Sequence, residues 1–111
     1  LAMTEALLET YPAVDGIIAC NDMVAISTYK LLHKKNISVP GQIQLVGFDD
    51  IDMAALMSPE LTTVGQPIRS MAEKAMEVVL RQGGKAAKGR EFVFPVTLIM
   101  RETTKRRKAG L

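Results

Sequence analysis

Residues 44–50 read QLVGFDD, an apolar run that ends in two adjacent carboxylates, and residues 16–22, GIIACND, end almost the same way. Short apolar runs bounded by turn formers are the pattern of strands buried on both faces. Asp15–Cys20 and Ile43–Phe48 are therefore expected to be strands. Between them the period changes. From Asp22 to about Lys35, Val24, Ala25, Thr28, Leu31 and Leu32 fall on one helical stripe, with Lys30, Lys34 and Lys35 largely outside it. Asp22 at the front and the lysines at the back suit the helix dipole. Asn36 is a stop, and Pro40-Gly41 a turn.

The alternation continues in both directions. Residues 3–10 read as the end of a helix closed by Tyr11-Pro12, and Asp50–Met57 as a short helical segment before Ser58-Pro59. Leu61–Val64 is a brief extended piece. A second amphipathic helix runs from Ile68 to Arg81, with Ile68, Met71, Ala72, Ala75, Met76, Val79 and Leu80 along one side. Gly83-Gly84 ends it, and the stretch to Gly89 reads as a flexible link. Glu91–Met100 is strand-like but interrupted by Pro95, which suits a sheet edge or a crossing point. No internal repeat is present. Alternating strands and helices indicate an α/β fold with a mostly parallel sheet flanked by helices.

In open parallel sheets, ligands bind beyond the carboxyl ends of the strands. Asn21, Asp49 and Gln66 each lie just past such an end. Amides donate and accept, and an ionised carboxylate accepts at two oxygens, so the three together suit a neutral, hydroxyl-rich ligand such as a sugar. Hydrogen bonds to a charged Asp49 would be the strongest, on the order of 1.5–3 kcal/mol each. Asn and Asp at strand ends also serve as helix caps. For Asp22 and Asp50 the cap is the better reading; for Asn21 and Asp49 the pattern supports both alike.

Other chemistries fit less well. Asp22, Asp49, Asp50 and Asp52 could form a carboxylate cluster for Mg²⁺ in a phosphoryl-transfer or receiver-like domain. The phosphate-cradling P-loop and the GxGxxG spacing are both absent. The only histidine, His33, sits among lysines near a helix end and reads as a surface residue. No nucleophile elbow, Ser-His-Asp set or metal-ligand spacing occurs, so neither an enzyme nor a bound cofactor is expected.

Composition narrows the class further. The chain has 111 residues, 48% of them hydrophobic and 23% charged, which fits one small domain or a piece of a larger one. It begins at Leu rather than Met and reads as part of a longer protein. Nothing approaches the ~18 apolar residues of a membrane helix, and the N-terminus lacks signal-peptide character. The single cysteine, Cys20, allows no internal disulfide and fits a reducing compartment. Within its apolar run it is expected to be a small buried hydrophobe. A formal net charge of +2 is too small to imply a nucleic-acid surface, and the basic tail at 105–108 reads as a solvated end. Met53, Leu56 and Met57, with Ile26 off its helix's main stripe, are core residues or, if exposed, a partner surface.

Three stretches, CNDMVA, ISVPGQIQLVGFDD and SPELTTVGQP, followed by FVFPVTLIMRETT, together resemble the lac-repressor (LacI/GalR) family of bacterial transcription regulators. The resemblance covers almost the whole chain. Ser27 departs from it mildly, standing where the family commonly has glycine. What it implies is the C-terminal part of a two-lobed, periplasmic-binding-protein-like (type I) effector domain, present here incompletely. Residues 1–66 would belong to the C-terminal lobe and 67–88 would cross to the other lobe. Residues 89–104 would return as a strand, and 105–111 form a basic tail. Asn21, Asp49 and Gln66 match positions that contact sugar hydroxyls in ribose-type relatives. Ile26, Lys30, Met53, Leu56 and Met57 match positions at the family's dimer interface. The implied protein is a cytoplasmic homodimeric repressor that takes a sugar or sugar phosphate as effector, does not engage membranes, and meets operator DNA only through a headpiece outside this chain. The alternative is a periplasmic sugar-binding protein of a transport system, which shares the fold and the Asn/Asp ligand chemistry.

Overall fold

A computed structural model describes residues 2–81 and 90–106. The elements in order are α1 (Ala2–Thr10), β1 (Gly16–Ile18), α2 (Asp22–Lys34), β2 (Gln44–Val46), α3 (Asp52–Leu56), β3 (Thr63–Gly65), α4 (Ile68–Arg81) and β4 (Thr97–Ile99). Two compact units are formed, one from the residues up to Gly65 together with those from Leu98 onward, the other from Gln66–Thr97.

In the first unit β1 and β2 pair in parallel, with Ile17 opposite Leu45. Parallel bridges Val46↔Thr62 and Asp49↔Gly65 carry the ladder on toward β3. Leu45, Ala19, Ala25, Ala54 and Leu61 form the core, and Ile17, Ile26, Tyr29, Val39 and Met57 pack against it. Helix α2 covers this core because Ala25, Thr28, Leu31 and Leu32 recur on one face and are all buried. It stops where Asn36 turns left-handed (φ 57°), while Ile37 N–H donates to the Leu32 carbonyl at 2.9 Å. An αL residue followed by a bond five residues back is a helix-terminating arrangement that asparagine tolerates.

The first unit is closed by sequence-distant residues. Thr103 is fully buried. Its hydroxyl donates to the Leu45 carbonyl at 2.7 Å and accepts from Thr62 N–H at 2.8 Å. Leu45 N–H in turn donates to the Thr103 carbonyl at 3.0 Å. A side chain here satisfies backbone groups that would otherwise be buried without partners.

Three expectations need correction in this unit. The strand expected over Asp15–Cys20 is only three residues long and is not buried, since Ile18 is 84% exposed. Successive side chains of a strand point to opposite faces. Ile17 meets the core, whereas Ile18 faces away from it, because among the described residues β1 pairs with β2 alone. Cys20, expected to be buried, is exposed for the same reason. Val24, placed on the buried stripe of α2, is 41% exposed.

In the second unit α4 spans the residues its periodicity marks, yet none of its side chains is buried. Ile68, Met76, Val79 and Leu80 all stand exposed. Lys74 lies between Glu77, 2.8 Å away, and the face of Phe92, whose ring centroid is 5.2 Å from its Nζ. The strand expected over Glu91–Met100 shrinks to Thr97–Ile99, and Pro95 falls in irregular chain before it. A residue without an N–H cannot extend a ladder. Gly83-Gly84 and the link to Gly89 lie outside the described residues, as do Lys108 and the rest of the tail beyond Arg106.

Candidate functional site

The carboxyl ends of the strands are held in line by backbone bonds that continue past the regular ladder. Asp22 N–H donates to the Phe48 carbonyl at 2.8 Å, and Asp49 N–H to the Val64 carbonyl at 2.9 Å. Residues 21–22, 48–49 and 64–65 of the first unit are thereby brought side by side. Gln66 is the next residue in the chain.

Each candidate residue has a definite structural setting. Asn21 is the N-cap of α2, in extended conformation, and its Oδ1 accepts from Val24 N–H at 2.9 Å. Asp22, expected as the cap, is instead fully buried within the first turn. One carboxylate oxygen accepts from the Thr63 hydroxyl at 2.6 Å, the other from Ile51 N–H at 2.9 Å. It thus ties α2 to β3 and to the turn leading into α3. Gly47 is obligatory beside it, because a Cβ there would overlap the Asp22 carboxylate and crowd Leu61.

Asp49 and Asp50 both have positive φ, 119° and 55°. Non-glycine residues held there cost on the order of 1–3 kcal/mol each and persist only where their surroundings impose them. Asp50 was expected to cap a helix, but the N-cap of α3 is Ile51, which makes no side-chain cap bond. Asp50 instead accepts from Arg101 Nη2 at 2.7 Å, with side chains 32% and 15% exposed respectively. Arg101 also donates through Nη1 to the Leu61 carbonyl at 3.0 Å and through its backbone N–H to Thr62 Oγ1 at 2.9 Å. Arg101 is not foreshadowed by local pattern, since it lies 51 positions from its partner.

The four carboxylates therefore do not act as a cluster. Asp22 and Asp50 are committed to different donors, and among the described residues no three His, Cys, Asp or Glu side chains gather as a metal site requires. His33 is exposed and stacks on Tyr29, ring centroids 6.0 Å apart.

The chain from residue 2 to 104 matches the periplasmic binding protein-like domain. It is 31% identical over 103 residues to the lactose operon repressor of Rhizobium radiobacter, covering 93% of this chain and 89% of that sequence. The chain belongs to the LacI/GalR family of transcriptional regulators. It is also 38% identical over 104 residues to the ribose operon repressor of Halalkalibacterium halodurans, covering 93% of this chain and 31% of the relative. Among solved structures it resembles the transcriptional regulator CelR in complex with cellobiose, with a TM-score of 0.84 at 26% identity. That match covers 92% of this chain and 32% of the other. The chain thus spans about a third of the length of the ribose operon repressor and of CelR.

The five residues that the resemblance assigns to a dimer interface divide by exposure. Ile26 and Met57 pack against the core of the first unit, while Lys30, Met53 and Leu56 are exposed, Leu56 at 81%. Tyr29 ties α2 to the segment that follows α3, its hydroxyl donating to the Ser58 carbonyl at 3.0 Å. Ser27, where the family commonly has glycine, donates back to the Met23 carbonyl at 2.9 Å. Among the described residues no helix is long and apolar enough to cross a membrane.

Proposed function

We propose that this chain is the effector-binding and dimerisation part of a sugar-responsive transcriptional repressor. The observation that carries the reading is the aligned set of strand ends, which supports Asn21 and Asp49 as neighbours; Gln66 follows Gly65, the bridge partner of Asp49, in the chain. Asp49 accepts hydroxyl hydrogens of the sugar. Asn21, whose Oδ1 caps α2, offers its two Nδ2 donors, and Gln66 adds a further amide. Residues 1–66 belong to one lobe of the effector domain, 67–88 cross to the other and 89–104 return. The exposed Met53 and Leu56, with Lys30, Ile26 and Met57, form the homodimer contact. Operator DNA is bound in the cytoplasm by a headpiece outside this chain, and the effector acts by binding one state of the paired lobes better than the other. The periplasmic transport reading is less favoured, because the relatives reported above are transcriptional regulators.

The test is thermal stability of the full-length protein with D-ribose, lactose, cellobiose and ribose 5-phosphate, repeated with Asp49→Ala. A ligand at 100 times its dissociation constant adds about 2.7 kcal/mol. Stabilisation by one sugar that Asp49→Ala removes supports the pocket. A response that survives the substitution, or no response from any of the four, refutes it.

A further inference from the structure

Asp49 stands in a turn that is held at the two residues following it. At the second, the buried Asp22 carboxylate accepts from Ile51 N–H. At the first, the guanidinium of Arg101 grips the Asp50 carboxylate at 2.7 Å while also donating to the Leu61 carbonyl. The Arg101 backbone is itself fixed, through its N–H, to Thr62 Oγ1. The guanidinium is therefore anchored at its base and at its fork, and its planar geometry resists reorientation. Asp50, one of the anchored residues, and Asp49 directly before it both have positive φ, a conformation that the free chain would leave.

We infer that Arg101 is a positioning residue for the effector pocket: by pairing with Asp50 it keeps the turn in the one backbone form that presents Asp49 to a sugar. This rests on the pocket reading above. Arg101 itself touches no effector. Its influence passes through the population of the competent turn, because apparent affinity falls in proportion to the fraction of molecules that hold it.

The experiment uses the full-length protein carrying Arg101→Gln, Asp50→Asn, or both, with Arg101→Lys as the conservative variant. Hydrogen exchange of the segment 47–51 reports the turn directly, since its amides at Gly47, Asp49 and Ile51 are bonded to Thr62, Val64 and Asp22. Each single substitution should speed exchange there on the order of ten-fold, and the double no further, as two halves of one interaction behave. Arg101→Lys, which keeps the charge but loses the fork, should fall between. Dissociation constants for the best of D-ribose, lactose and cellobiose should rise by a similar factor. Unchanged exchange, or singles whose effects add, overturns the inference. So does faster exchange with sugar affinity unchanged, provided Asp49→Ala abolishes binding; the pocket then stands and Arg101 is structural only. If Asp49→Ala leaves binding intact, or none of the sugars binds, the pocket reading itself fails and takes this inference with it.

Discussion

Replacing Asp22 tests the arrangement on which the strand ends depend. Its carboxylate is fully buried and accepts two bonds, from the Thr63 hydroxyl and Ile51 N–H. Hydrogen bonds to a charged group contribute about 1.5–3 kcal/mol each, so losing both in Asp22→Ala removes about 3–6 kcal/mol before relaxation. A water entering the vacated polar site restores part of this, leaving an expected loss of about 3 kcal/mol. Asp22→Asn behaves differently. Its oxygen can accept from Ile51 N–H and its amino group can donate to a rotated Thr63 hydroxyl, at a cost of about 1 kcal/mol. Urea denaturation of the full-length protein, followed by the midpoint at unchanged slope, measures both. The reasoning is refuted if Ala costs less than about 1 kcal/mol, or if Asn and Ala are equally destabilising.

Thr103→Val keeps the shape of the side chain but leaves the Leu45 carbonyl and Thr62 N–H without their hydroxyl partner. It should cost about 2–4 kcal/mol in the same assay, with Thr103→Ser well below that. Leu56, 81% exposed, should lie in the dimer contact, so Leu56→Glu is expected to raise the dimer dissociation constant at least about ten-fold by sedimentation, with stability per protomer unchanged. In the second unit, a hydrogen bond from Lys74 and then the charges of Lys74 and Arg81 hold the Glu77 carboxyl below its ordinary value of about 4.5. A depressed acid stabilises the folded form above that value and loses its contribution as pH falls through the folded one. The protection factors of the α4 amides, with the intrinsic slowing of exchange in acid divided out, should therefore fall as pH is lowered, and Glu77→Gln should flatten that dependence.

What was legible in the sequence follows from how local each cause is. The ends of α4 could be placed because a periodic apolar face and its flanking breakers are neighbours in the chain. Because an apolar run meeting Asn-Asp or Asp-Asp is a local event, the ends of β1 and β2 could be placed, but only approximately, the regular ladder stopping at Ile18 and Val46. Which of two adjacent cap formers does the capping could not. Asn21 and Asp22 are both competent, and the choice was made by Thr63 and Ile51, which offer buried donors to the second of them. Arg101 was hidden for the same reason, its partner Asp50 lying far back in the chain. Ile18 and Cys20 misled because hydrophobicity reports that a side chain would gain from burial, not that a neighbour is present to bury it.

The Thr103 bonds also bear on the order in which the chain can be completed during synthesis. N-terminal portions emerge first, at roughly 5–20 residues per second. When Thr62 is added to the growing chain, the hydroxyl that will accept from its N–H is still 41 positions from being made. The first unit thus waits, without the Thr103 bonds to Leu45 and Thr62, while the whole of Gln66–Thr97 is translated. A nascent chain halted anywhere in that interval carries an unfinished sheet edge, the kind of surface that chaperones retain and proteases find.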